Sequence, residues 1–274
     1  MNNFYKIIFI KLRKLDSLCL IMYKIFFIKS TTFRPLMFIN DRLSIIKLFF
    51  GDTLIIQPTY SGLGDHLFYS TIPEIVKKNK LFKYVYISTY STYRFNGIKE
   101  IVWKDNPYVD GFISKNGWCH YGSRPKGKNF LDGINNIFLH KLTNLSSPKI
   151  YKSFVKDIDL EKCILIDFGR FSNTQKINFD HLVGVILKKY PNNKILMFNN
   201  AKIKTDKKIT VIPLPKDFKD YCTIVVSVKE IYCLYSGLNS LAPALNVRAN
   251  VFCSAYDSTQ SYKINKYIVM NDNE

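Results

Sequence analysis

The sequence predicts an α/β protein: two Rossmann-like domains with parallel sheets, preceded by a basic N-terminal extension. Three observations carry this. Short, continuously apolar runs alternate with helix-like patterns after residue 50, as expected of parallel strands covered on both faces. The break Leu145-Ser146-Ser147-Pro148 splits that alternation into two consecutive sets. The first 50 residues follow a different pattern of charge and apolarity. The expected division is therefore 1–50, 51–150 and 151–274.

In the first set the strand candidates are 53–58, 84–88, 100–103 and 111–114. A helix is expected over Leu67 to Lys80, and another over Asp132 to Leu142. In the second set the expected strands are 163–168, 194–198, 209–212, 223–226 and 249–253. The expected helices are 179–190, 216–222 and 239–245. Such a pair of α/β domains places its ligand at the strand carboxyl ends, in the crevice between them.

The extension carries nine Lys and Arg residues against two acids, Asp16 and Asp41. Its most apolar run, Leu18 to Ile28, is interrupted by Lys24 and is too short to span a bilayer. Phe26-Phe27-Ile28-Lys29 supplies no small-residue cleavage site for a signal peptide. Two readings stay open: a basic amphipathic segment on an anionic membrane surface, or an extension packed on the fold.

The whole chain has 274 residues, 47% of them hydrophobic, and a formal net charge of +19. The length is ample for one large or two smaller cores. The charge points to anionic partners, although scattered Lys residues also make ordinary solvated faces. No nucleic-acid-binding motif accompanies it, so nucleic acid is not the expected partner. The six cysteines, Cys19, Cys119, Cys163, Cys222, Cys233 and Cys253, form no C-x-x-C pair and mostly sit in apolar runs. They read as reduced core residues of a cytoplasmic protein. His66, His120, His140 and His181 show no metal-ligand spacing, so no metal is expected.

The most informative stretch is Ser61-Gly62-Leu63-Gly64-Asp65-His66, between the first strand and a helix. An acid there faces the crevice and can act as a general base on a hydroxyl, or it can simply cap the helix. No third glycine completes a dinucleotide fingerprint. Asn106-Pro107-Tyr108-Val109-Asp110 reads as a structural turn before a strand. Asp167 to Lys176 leaves a strand with Gly169 and Thr174, and with two cations, Arg170 and Lys176, suited to a diphosphate; a plain surface loop fits equally. Ser236-Gly237-Leu238-Asn239-Ser240 opens an apolar helix, whose first N–H groups suit a phosphate or an ordinary cap.

Taken in order, these segments resemble the heptosyltransferase-type glycosyltransferases of lipopolysaccharide and capsule assembly. The matching positions are Gly62-Leu63-Gly64-Asp65, Asn106-Pro107-Tyr108-Val109-Asp110, Gly169 with Lys176, and Ser236-Gly237 with Leu241 and Ala242. The resemblance covers residues 51 to 254. The chain departs from that pattern at Tyr235, where the family has Asp, and at Leu238 and Ser240, where it has Pro and His.

The resemblance implies a GT-B fold and transfer of a sugar from a nucleotide-diphospho-sugar to a saccharide or glycolipid acceptor. It implies inversion, and Asp65 as catalytic base. Gly62, Gly64 and His66 would lie on the acceptor side. Gly169, Arg170, Thr174, Lys176, Ser236, Gly237, Leu238, Asn239 and Ser240 would serve the donor phosphates. No cofactor is needed where cations and helix termini neutralise the diphosphate. The expected location is cytoplasmic, with peripheral contact to the inner face of the membrane as the extension's possible contribution. The competing reading is a catalytically degenerate relative that binds saccharide or membrane without turnover.

Overall fold

The computed structural model describes residues 51–58, 60–118, 129–138, 141–169, 178–198, 207–253 and 262–270. The basic extension, and with it the membrane expectation, lies outside the described residues. The first half holds three parallel strands in the order β1-β2-β3: Thr53–Ile56, Tyr84–Ser88 and Gly111–Ile113. Trp118 adds a parallel bridge to Ile56 on the free edge of β1.

The helix expected over Leu67 to Lys80 begins earlier and is two helices. These are α1, Leu63–Tyr69, and α2, Ile72–Lys78. Pro73 occupies the first turn of α2, where its missing N–H costs no helical hydrogen bond. After β2 come the single turn α3, Asn96–Ile98, and a π-helical stretch, Lys99–Lys104. The strand expected at 100–103 is thus helical. Its β-branched residues give no usable edge, because Trp103 is fully buried and donates its indole N–H to His66. Helix α4, Phe130–Ile137, is capped by Asn129, whose side chain accepts from the Asp132 N–H.

The second half is a six-stranded, all-parallel sheet. Its strands are β4 Ile164–Asp167, β5 Ile195–Phe198, β6 Ile209–Ile212, β7 Glu230–Leu234, β8 Ala249–Cys253 and β9 Lys266–Val269. Their order, β6-β5-β4-β7-β8-β9, is the doubly wound Rossmann order, with its topological switch between β4 and β7. The β4 side chains alternate between two cores. Ile164 and Ile166 pack with Leu182, Val183 and Ile186 of α5, Phe179–Lys189, on one face. Leu165 joins Cys222 and Val225 of α6, Phe218–Ser227, and Leu238 and Leu241 of α7, Gly237–Ala244, on the other.

Helix α6 replaces an expected helix at 216–222 followed by a strand at 223–226. Asp217 starts it by accepting from the Lys219 N–H. Cys222 and Val225, one helical turn apart, both point into the core. The apolar run after residue 228 then supplies β7, and β9 is a half-exposed edge strand outside the expected set.

Two features join the halves. Glu74 of α2 is buried and receives Nζ of Lys149 at 2.9 Å and the Tyr151 hydroxyl at 2.8 Å, fixing the connecting segment. Burial alone would raise the Glu74 carboxyl; hydrogen bonds from Lys78, Lys149 and Tyr151 turn the net shift downward. The backbone of Gly97 in α3 also lies directly against Phe218 of α6. A Cβ on Gly97 would stand 2.4 Å from the Phe218 Cβ. Gly97→Ala is therefore expected to lower stability by about 1–3 kcal/mol through overpacking, read as a fall in urea midpoint at unchanged slope.

Candidate active site

The carboxyl end of β1 leads through Gln57 to Gly62 into α1. Gly62 is the extended N-cap residue and makes no side-chain capping bond. Asp65 lies in the first helical turn, where the helix dipole favours a carboxylate. A Cβ on Gly62 would come 2.6 Å from Asp65 Oδ2. A side chain at position 62 would turn the Asp65 carboxylate aside from where it stands. Gly62, Gly64 and Asp65 are all partly exposed at the mouth of the first sheet.

His66 is placed differently from its expected acceptor-side role. It is fully buried. Its Nδ1 accepts from Trp103 Nε1–H at 2.8 Å, and its Nε2 lies 2.8 Å from the Thr92 carbonyl. The ring stacks on Tyr93 at 4.8 Å. With Nδ1 accepting, Nε2 carries the proton and donates to Thr92, so the imidazole is neutral. Burial lowers its pKa, against smaller opposing effects from Thr92, Asp65 and Tyr60. His66 therefore ties α1 to the loop after β2 from a fully buried position. The Arg94 N–H, donating to Ser61 O at 2.9 Å, makes a second tie between the same segments.

The second sheet contributes the ends of β4 and β7, adjacent at the switch point, with Asp167 paired to Cys233. Asp167 is buried. Its Oδ1 accepts from the Gly169 N–H at 2.8 Å and its Oδ2 from the Tyr221 hydroxyl at 2.5 Å. Burial pushes its carboxyl upward, while both hydrogen bonds favour the charged form. A Cβ on Gly169 would meet Asp167 Oδ1 at 2.8 Å, so a side chain here would displace the Asp167 carboxylate. Arg170, Thr174 and Lys176 lie outside the described residues.

After β7, Ser236 is the extended N-cap of α7, again with no side-chain capping bond. Ser236 and Gly237 are partly exposed, whereas Leu238, Asn239 and Ser240 are buried. The side chain of Asn239 accepts from Asn265 at 3.0 Å and from the Tyr267 hydroxyl at 2.9 Å. Ser240 Oγ pairs with the Tyr262 hydroxyl at 2.9 Å. The Asn239 and Ser240 side chains therefore secure the strand beyond β8, and Leu238 belongs to the core. Of the expected donor residues on this helix, only Ser236 and Gly237 reach the mouth with accessible atoms.

The two mouths meet. A Cβ on Gly237 would sit 3.4 Å from the Leu63 Cβ, so the starts of α1 and α7 touch. The helix that carries Asp65 and the helix that Ser236 opens are thus direct neighbours. Asn106 and Asp110 serve the scaffold, as their sequence suggested. Asn106 donates to Ser70 O at 3.0 Å, and Asp110 binds Lys77 and the Val85 N–H. Sequence reasoning gave no role to Asp167, Tyr221 or Trp103. The available signal was the Asp-x-Gly spacing of Asp167 and Gly169.

This architecture recurs in known structures. A glycosyl transferase family 9 protein from Veillonella parvula aligns with TM-score 0.57 at 9% identity, over 80% of this chain and 86% of that one. The chain has the fold of these glycosyltransferases. The ADP-heptose lipopolysaccharide heptosyltransferase II of E. coli aligns with TM-score 0.53 at 13% identity, over 79% and 90% of the two chains. The dodecameric iron-containing heptosyltransferase TibC, in complex with ADP-D-beta-D-heptose, aligns with TM-score 0.57 at 11% identity. This chain spans 63% of the TibC chain. No protein-family model and no curated protein matches by sequence.

The neutral buried His66 gives a pH signature. Its folded pKa lies below the unfolded value of about 6.5, so its stabilising contribution is complete above that pH. It is lost as pH falls below about 6.5, where the unfolded chain takes up the proton first. The stability gap between the native chain and His66→Gln is expected to narrow between pH 7.5 and pH 5. Parallel denaturant titrations at both pH values measure it.

Proposed function

We propose that this chain is a glycosyltransferase that moves a sugar from a nucleotide-diphospho-sugar to a saccharide acceptor in surface polysaccharide or lipopolysaccharide synthesis. The supporting observation is the packing of α1, which carries Asp65, against the start of α7, the helix that follows the switch-point strand β7 of a Rossmann sheet. Switch points are where such sheets take nucleotides. The fold shared with heptosyltransferases, one of them bound to ADP-heptose, favours a nucleotide-sugar there.

In this reading Asp65 takes the proton of an acceptor hydroxyl as that oxygen attacks the anomeric carbon of the donor. The bond from that carbon to the diphosphate oxygen breaks on the opposite face, giving inversion. The negative charge left on the diphosphate is met by the first turn of α7 at Ser236 and Gly237, and by Lys176 and Arg170. Metal independence belongs to the same proposal, since cations and a helix terminus carry this charge.

The buried Asn239 and Ser240 leave α7 mainly backbone groups to offer, which keeps a non-catalytic saccharide-binding relative as the second reading. One substitution separates the two. Asp65→Asn is expected to reduce transfer at least about a hundredfold, the usual scale of general-base loss, with thermal stabilisation by nucleotide-sugars retained. Glycan mass spectrometry of complemented cells reads the product. Undiminished product would remove Asp65 from the mechanism, and product absent even from the native chain would favour the second reading.

A further inference from the structure

Cations line the amino edge of the second sheet, the edge away from the strand ends that carry the proposed chemistry. Because all six strands are parallel, every one of them starts there. Lys208, Lys194, Lys229 and Arg248 immediately precede β6, β5, β7 and β8, and Lys162 stands two residues before β4. All five are exposed.

Backbone contacts hold these starts in one row. Ile209 pairs with Ile195, Ile195 with Ile164, Ile164 with Glu230, and Ile231 with Ala249. Lys194 O accepts from the Ile164 N–H, and Cys163 O from the Lys229 N–H, both at 2.9 Å. Asn193 Nδ2 donates to Lys162 O at 3.1 Å. Adjacent strands lie about 4.8 Å apart, so the five neighbouring starts from β6 to β8 extend over about 19 Å.

The charge of the row is unopposed. Glu230, the acid among the strand starts, is engaged by its own surroundings. Its Oε2 accepts from the Tyr190 hydroxyl and from Asn250 at 3.3 Å, and Lys189 Nζ lies 3.7 Å away. Among the described residues no acid pairs with Lys162, Lys194, Lys229 or Arg248. The exposed Asp157, Asp159 and Glu161 stand to one side, in the turn before β4 that packs against α6.

We propose that this row is a docking strip for an acidic glycan strand, separate from the reacting crevice. A line of cations suits a chain molecule lying along it. A flat bilayer resting on this end would also meet Asp157, Asp159 and Glu161. A single-stranded nucleic acid finds no stacking platform, since Tyr190 and Tyr232 are buried. Lysine ammonium groups act as point charges for carboxylates or phosphates spaced along a polymer. A strip of this kind holds one part of a long glycan while another part reaches the crevice, which raises the local concentration of the reacting end. The inference rests on the transferase reading for naming a glycan, but its test needs no turnover.

The test titrates the full chain, by fluorescence anisotropy, with labelled oligogalacturonate long enough to span the row. Dextran of the same length, poly-glutamate, a single-stranded oligonucleotide and phosphatidylglycerol vesicles are the comparisons. Oligogalacturonate is expected to bind more tightly than any of them, and less tightly as salt rises. At about 0.15 M salt, where charges beyond about 8 Å are largely screened, Lys194→Glu with Lys229→Glu weakens it at least about tenfold. Lys115→Glu with Lys219→Glu makes the same change of net charge at the carboxyl edges and leaves binding within about twofold. All four side chains are exposed, so melting temperatures stay near native. Equal binding of dextran, no binding of oligogalacturonate, or equal loss in the two double variants would overturn the strip. Tighter binding of poly-glutamate, oligonucleotide or vesicles, lost in Lys194→Glu with Lys229→Glu, would overturn the glycan and give the row to that partner. Failure of ADP and UDP to stabilise the native chain would sink the transferase reading alone, because the titrations use no nucleotide.

Discussion

Everything at the crevice depends on backbone-close contact between the two halves. Gly97 lies against Phe218 so closely that an added Cβ would stand 2.4 Å from the Phe218 Cβ, and Gly237 packs against Leu63 in ordinary van der Waals contact. These contacts bring the first turn of α1 against the first turn of α7. Each turn alone is an unremarkable helix start. Together they set the helix start that carries a carboxylate beside a second helix start with its N–H groups, the pairing on which the proposed transfer rests.

The supports behind this opening are polar and buried. His66, Trp103, Thr92 and Tyr93 hold α1 to the loop after β2, and Asp167 with Tyr221 holds the turn after β4. The bonds made by His66, Trp103 and Asp167 are buried, so breaking one of them leaves a polar group without water to replace it. The segments at these helix starts are thus anchored at their roots, while Tyr60, Tyr90 and Arg94 remain exposed.

The elements that sequence reasoning located well are those whose pattern admits one period. Strands 84–88, 209–212 and 249–253 are the observed β2, β6 and β8. Each is short and carries β-branched or aromatic residues. The failures share a cause. Ile101-Val102-Trp103 and Ile224-Val225-Val226 have β-branched composition, yet both are helical, because burial of Trp103 and Val225 against neighbouring segments outweighs local preference. The edge strand β9 escaped because a half-exposed Lys-Tyr-Ile-Val run carries little periodic signal.

By itself the sequence determined the α/β class, the two consecutive strand–helix sets and the glycine turn that presents Asp65. These are local matters of period, of glycine, and of which residue follows a strand. Only the tertiary structure decided that His66, Asn239 and Ser240 turn inward while Asp65, Ser236 and Gly237 face the opening. Neighbouring residues on one helix turn differ by about 100° in direction, so which of them meets solvent depends on where the next element packs. The strand order that creates the switch point was likewise beyond the sequence. It is set by which strand edges pair across long separations, and no local pattern records that choice.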